Sequence, residues 1–406
     1  MKLPFFLYKT LKFIQPQWII AKGYYRKAIQ QMRKKLTLLT KDNGIPDGLS
    51  QTTLDWMCFC QKLEDYKVIY PNHTIFRQLP KTLSEVHWKF KQQTQHKSPS
   101  AFVAAIDDGR VWGNSGAVIA PDNQLLADVS KEIATKIEEH SIFLQWKLPP
   151  ISRVAGTVAV LAASKGNTYF HWVFDVLPRL ALLYESNISL NQIDKFVVNK
   201  LEARFQIDTL NLLGIEPERI IETSSLAHIQ AEKLIVPSLP GISGNMPKWA
   251  CDFIRDKFLL DRIARKENSL ERIYISRANA KGRRITNEAE VIELLNSFGF
   301  KKLILETMSF IEQISLFAAA EIIVAPHGAG LSNLVFCKQG TKVIEIFSPN
   351  SVNICYWSLS NQLELDYYYL LAEGNIPPEH IDPGLGREDI VVSMERLVDI
   401  LHLAIK

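Results

Sequence analysis

Three short stretches carry residue types whose spacing suits chemistry. In "EIIVAPHGAGLSN" (321–333) an apolar β run ends abruptly on His327, Gly328, Ala329 and Gly330. A turn of this kind at the start of a helix offers free N–H groups and the positive end of the helix dipole to an anion. Glycine lets a phosphate approach the backbone, and a histidine donates to its oxygens. The plainer reading is a tight turn whose glycines serve packing. In "YISRANAKGRRITNE" (274–288), Arg277, Lys281, Arg283 and Arg284 crowd one predicted loop. Arginine's planar fork suits phosphate, although a charge run is usually a solvated face. In "NTYFHWVFDVLPRL" (167–180), His171, Asp175 and Arg179 recur at i, i+4 and i+8. On a helix they form one polar stripe in which a carboxylate and an imidazole could draw a proton from a hydroxyl, or simply hydrogen-bond to each other. Pro178 shortens or kinks that helix. Glu345, at the end of "KVIEI", accepts ribose hydroxyls or leaves the sheet for solvent.

The elements that must position these residues are legible in the hydrophobic period. From about residue 247 the chain alternates apolar runs such as "RIYIS", "EIIVA" and "KVIEIF" with helical stretches of ten to fifteen residues. That alternation means βαβ units, a parallel sheet and a Rossmann-like lobe with ligands at the carboxyl ends of its strands. Upstream, turn signals at Asp108-Gly109 and Pro121-Asp122-Asn123 predict consecutive hairpins. Further strands are expected at 154–163, 194–199 and 232–237, with a helix near 203–213.

At 406 residues the chain exceeds one ordinary core and suggests two or more domains. Its five cysteines are odd in number and lack paired metal-ligand spacing, and are read as reduced thiols. The net charge of +4 conceals an asymmetry, because residues 1–36 hold nine Lys or Arg and no acid, leaving the rest at −5. Mixed with Phe5, Phe6, Trp18 and Ile19, those cations suit an anionic membrane surface, or a basic helix packed on the protein itself. Nucleic acid is disfavoured by the mildly acidic body. The absence of a signal-like leader and of an 18-residue apolar run gives the expectation of a cytoplasmic protein, peripheral on the inner face of the membrane.

"YFHWVFDVLPRL", "RIYISR…RRITNE", "SFIEQISLFAAAEIIVAPHGAGLSNLVF" and "GTKVIEIF", in this order, resemble the family 61 glycosyltransferases. That family includes bacterial capsular-polysaccharide enzymes, plant xylan-decorating transferases and protein O-GlcNAc transferases of the secretory pathway. The resemblance implies an α/β GT-B fold, two Rossmann-like lobes with parallel sheets facing a central cleft. The domains expected are a basic segment at 1–45, an acceptor-side lobe at 46–245, a nucleotide-sugar lobe at 246–387, and a final helix at 388–406 crossing back to the first lobe. It also implies inversion at the anomeric carbon and a nucleotide-sugar donor, a UDP-sugar, used with no separate cofactor.

Carried over by position, Asp175 or His171 is the catalytic base, with Trp172 and Arg179 beside the acceptor. Arg277, Arg283, Arg284, His327, Gly328, Ala329, Gly330 and Asn333 hold the donor, joined by Glu345 from the residue reading. Relatives commonly carry Glu where this chain has Asp175, which keeps the carboxylate and shortens its reach. No Asp-x-Asp pair is present, so no metal is expected. The acceptor expected is a glycan or lipid-linked glycan in capsular or cell-surface synthesis. A non-catalytic nucleotide-sugar or polysaccharide-binding protein would share every binding feature. A nicotinamide-dependent oxidoreductase would need G-x-G-x-x-G, and an α/β-hydrolase would need G-x-S-x-G; neither motif occurs.

Overall fold

A computed structural model of the chain describes residues 44–224, 227–259, 271–383 and 386–405. The basic segment 1–36 lies outside the described residues. The fold is mixed α/β, and its strands are numbered here in chain order. One ten-stranded sheet takes β1 (Gly48–Ser50), β2 (Tyr66–Tyr70), β5 (Ala101–Asp107), β6 (Arg110–Trp112), β7 (Ala117–Ile119), β8 (Gln124–Leu126), β9 (Ser152–Val160), β10 (Lys195–Val198), β11 (Ile220–Glu222) and β12 (His228–Pro237). A two-stranded ribbon pairs β3 (His73–Phe76) with β4 (Gln95–Ser98). A five-stranded sheet holds β13 (Arg272–Ile275), β14 (Lys301–Leu303), β15 (Ile322–Pro326), β16 (Lys342–Phe347) and β17 (Asp366–Leu371).

The five-stranded sheet is wholly parallel, ordered β14-β13-β15-β16-β17. Its central strands β15 and β16 are Val- and Ile-rich and almost entirely buried, as a sheet covered on both faces requires. The ten-stranded sheet is mixed, which corrects the expectation of two parallel sheets. Only β12-β9-β10-β11 and the β1-β8 edge run parallel, while β5 and β6 lie antiparallel to β12. The Asp108-Gly109 pair, expected to turn a hairpin, is instead an interruption in one path along β12. Asp107 faces Lys233 and Arg110 faces Gln230 with the register unbroken, and Asp108 takes φ 55°. The hairpin at residues 121–123 does form, joining β7 to β8.

The crossing between sheets also differs from expectation. The final helix, Met394–Ile405, buries Leu397, Ile400 and Leu401 against Tyr368 and Leu370 of the second sheet and Val291 of the helix between β13 and β14, and does not cross back. Residues 77–92 cross over in its place. Lys81 pairs with the edge of β17 through hydrogen bonds to the backbones of Tyr367 and Tyr369, and Trp357 Nε1 donates to the Gln78 carbonyl. The unpaired edge of β17 is thereby covered, which an exposed strand edge requires. A single apolar cluster containing Trp172, Ile235, Ile323 and Val343 then runs from one sheet to the other. Among the described residues no helix is long and apolar enough to cross a membrane.

Candidate active site

Both sheets reverse their strand order at a point where ligands of α/β sheets collect. In the first sheet the chain runs outward through β9, β10 and β11 and returns as β12 on the other side of β9. The switch point therefore lies between the carboxyl ends of β9 and β12. In the second sheet it lies between β13 and β15, because β14 and β15 flank β13 on opposite sides. All three chemical stretches emerge at these two crevices.

At the first crevice, the loop after β9 leads into the helical turn Tyr169–His171 and then a π turn, Trp172–Val176, in which the Leu177 N–H reaches back five residues to the Trp172 carbonyl. Pro178 explains the wide turn, since it has no N–H to return to the residue 174 carbonyl. His171 Nδ1 lies 2.6 Å from Asp175 Oδ2. Ser243, on the loop after β12, donates to the same oxygen at 3.0 Å. Among the described residues nothing donates to Asp175 Oδ1. A cavity of about 380 Å³ opens here, lined by Asp175, Ser243, Ile242, Leu239, Ser164 and Ile133. Ser243 escaped sequence reasoning, although the "PGISGN" cluster after β12 was a visible turn signal at a strand's carboxyl end.

The i, i+4, i+8 stripe does not survive intact. Trp172 is fully buried, with its Nε1 donating to Thr209 Oγ1 at 2.8 Å. Arg179 is also fully buried and donates to the Ala162 carbonyl at 2.6 Å and, through Nε, to the Pro237 carbonyl at 3.0 Å. Neither is placed to touch an acceptor. Arg179 instead clamps the ends of β9 and β12, the two strands that flank the crevice. Burial pushes its guanidinium down to about 9, opposed by the nearby Asp175 charge.

At the second crevice, Tyr274 and Ser276 donate to Glu288 and fix the root of the arginine loop. Arg277 reaches across to the HGAG turn, and Gly328 is what admits it. A Cβ on Gly328 would fall 1.9 Å from Arg277 Nη1. The missing side chain thus makes room for a cation, whereas direct approach of phosphate was expected. Gly330 is bare for a different neighbour, since its Cβ would lie 2.7 Å from Leu305 Cδ1. Arg283, held at φ 58°, donates to the Gly386 carbonyl at 2.8 Å. Among the described residues the Nε atoms of both Arg277 and Arg283 are buried without a partner. Burial, then the neighbouring Arg283 charge, lowers the Arg277 pKa, with Glu306 opposing. Arg284 stands apart. It is exposed and bound by Asp389 at 2.6 and 3.0 Å, so its charge is already met.

The HGAG segment continues as a 3₁₀ stretch, Ala329–Phe336, in place of the α-helix expected. Ala329 is its exposed member. His327 donates from or accepts at Nδ1 to Glu345 Oε1 at 2.5 Å and stacks on Phe347. Glu345 is fully buried and also accepts from the Tyr367 hydroxyl. It therefore reaches neither solvent nor a ribose, and acts by orienting His327. Asn333 is likewise buried. Its Nδ2 donates to Gln313 Oε1 and its Oδ1 accepts from the Tyr169 hydroxyl at 2.5 Å. That bond joins the first stretch to the third, and the rings of Phe170, Tyr356 and His327 continue the contact at 5.9 and 5.4 Å.

Residues 169–344 match the profile of the family described as Glycosyltransferase 61. Over those residues the chain is similar to that family. The match begins at Tyr169 and contains the Asp175 cluster, the arginine loop and the HGAG turn. The chain is also similar to Protein O-linked-mannose beta-1,4-N-acetylglucosaminyltransferase 2 of Xenopus tropicalis, at 28% identity over 167 residues. That alignment covers 39% of this chain and spans 28% of the relative.

Proposed function

We propose that this glycosyltransferase moves a sugar, with inversion, from a nucleotide-sugar donor to a hydroxyl of a glycan acceptor, and that the donor is a UDP-sugar. The observation that carries the reading is the unbalanced positive charge at the second crevice. The Arg283 charge raises the cost of charging Arg277, and among the described residues each arginine keeps a buried Nε without a partner. Such a pair calls for an anion, and a diphosphate meets both forks. The two sheets, read as GT-B lobes, would then present donor and acceptor from opposite sides of one cleft.

In this mechanism Asp175 is the base. His171 and Ser243 both bind Oδ2, which leaves Oδ1 to take the proton of the acceptor hydroxyl. The oxygen attacks the anomeric carbon as the bond from that carbon to the phosphate oxygen breaks, and the nucleoside diphosphate leaves with the bonding pair. Arg277, Arg283 and the N–H groups of the HGAG turn stabilise the departing charge. His327 is held at that turn by its Nδ1 contact with Glu345.

Because arginines meet the diphosphate, the reading assigns no metal and no separate cofactor. The β-1,4-N-acetylglucosaminyl transfer named for the frog relative supports a UDP-linked donor. A cell-surface or lipid-linked glycan acceptor, met at a cytoplasmic membrane face through residues 1–36, completes the proposal. Calorimetry with UDP and UDP-sugars in EDTA tests it. Binding is expected to weaken about tenfold or more in Arg277→Ala. Binding that depends on magnesium, or that ignores the substitution, would overturn the arginine account.

A further inference from the structure

A second cavity, of about 670 Å³, lies at the carboxyl ends of β9, β10 and β11, beside the Asp175 cavity and larger than it. The two share Glu132, Ile133 and Ser164 in their linings. They therefore form one groove along the edge of the first sheet, open to the proposed base at one end. Its size is that of a site for a ligand extended beyond a single ring.

The chemistry of the wall is neutral and rich in hydrogen-bonding groups. Its acids are already occupied. Glu202 is met by Lys200 at 3.2 Å and by Asn167 at 3.1 Å, and Glu132 accepts from the Ser141 backbone at 3.0 Å. The side chains of Asn114, Ser115 and Thr135 have no protein partner among the described residues, and they face the groove from two different loops. The Trp112 indole N–H in the same wall is buried without an acceptor among the described residues.

The wall is also held in costly backbone conformations. Ala134 and Lys165, both in the groove lining, sit at φ 59° and 57°. Such residues persist where the surroundings demand them, often at ligand sites. Gly166 lets Asn199 pack against that loop, since a Cβ there would fall 2.1 Å from Asn199 Oδ1. Asn199 in turn donates to the carbonyls of Asn114 and Ala163 and locks the two loops together.

We propose that this groove binds the sugars behind the accepting residue, so that the acceptor is an oligosaccharide of several units lying along the edge of the first sheet. An unpaired amide and two hydroxyls beside an indole, without net charge, match a polyhydroxylated chain better than they match a nucleotide, a peptide backbone or a lipid. The inference rests on the transferase reading for its direction, because Asp175 marks the reacting end.

An array of unmodified mono-, di-, tri- and tetrasaccharide fragments of surface polysaccharides, probed with the full chain, tests it without requiring turnover. Binding is expected to strengthen with fragment length. Ser115→Trp, which fills the groove, is expected to abolish the gain from length while leaving UDP binding unchanged. Thr135→Trp blocks the opposite wall and keeps the test decisive if the first variant misfolds. Length-dependent binding that both blocked variants retain would overturn the groove, as would binding of no fragment at any length. Length-dependent binding lost in both variants, with no sugar transferred to any bound fragment, would uphold the groove and sink the transferase reading.

Discussion

At the residue scale the two crevices assign separable tasks. Asp175 has one oxygen tethered by His171 and Ser243 and the other without a partner among the described residues, the arrangement of a base held in place. Asp175→Asn keeps the shape and removes the charge, so turnover is expected to fall by about 10²–10⁴ while UDP affinity stays constant. An unchanged rate would transfer the role to His171. Gly328 offers a cleaner experiment. Its φ of 179° is extended backbone open to any residue, so Gly328→Ala costs nothing in backbone strain and collides with the Arg277 guanidinium. Nucleotide affinity is expected to drop as far as in Arg277→Ala, with the double variant no worse than either single one. Additive losses in a calorimetric cycle would show that the glycine acts independently of the arginine.

At the element scale, the π turn before Pro178 sets where Asp175 points. A π turn appears as a single widened turn, frequently at a functional site. Pro178→Ala supplies the missing N–H and lets the helix close normally. Thermal stability should hold or rise, while turnover falls by about 10²-fold from misplacement of the carboxylate relative to Ser243. Full activity in a variant of equal stability would mean that the turn has no part in the chemistry. The Tyr169 to Asn333 bond belongs to the same scale, because it fastens the acceptor-side turn to the 3₁₀ segment of the HGAG turn. Asn333→Ala strands the Tyr169 hydroxyl and the Gln313 side-chain oxygen in the interior, at a cost of about 1–3 kcal/mol per group in urea unfolding.

At the scale of the whole molecule, burial sets the pH range of the fold. Burial holds His87, His96, His140 and His228 below the ordinary imidazole value, with neighbouring charges modifying each. An unfolded chain takes up these protons as pH falls through about 6.5, and the folded chain does not. The unfolded state then binds more protons, so stability is full above that pH and declines below it. Unfolding temperatures measured from pH 7.5 to 5.5 should fall steadily, and a flat profile would show that these rings are protonated without cost. The docking of residues 77–92 on β17 acts at the same scale, since it ties the first part of the chain to the edge of the second sheet.

The sequence alone determined the second sheet. Its apolar runs are buried on both faces, so their period and composition leave little freedom, and the strands expected around "RIYIS", "EIIVA" and "KVIEIF" fall where β13, β15 and β16 lie. It also made the pairing of His171 with Asp175 visible, because four residues on a helical turn is a local relation. What it could not decide was which polar side chains remain free. Arg179, Trp172, Asn333, Glu345 and Arg284 match motifs as well as Arg277 does, yet each is consumed by a carbonyl, a hydroxyl, an imidazole or a carboxylate distant in the chain. Only tertiary contact reveals that. The same holds for Ser243, for the path of β5 and β6 along β12, and for the groove beyond Ile133. For Ser243 and for β5 and β6 the deciding partner arrives from more than sixty residues away, and the groove gathers separate segments between residues 112 and 223; no local period carries that information.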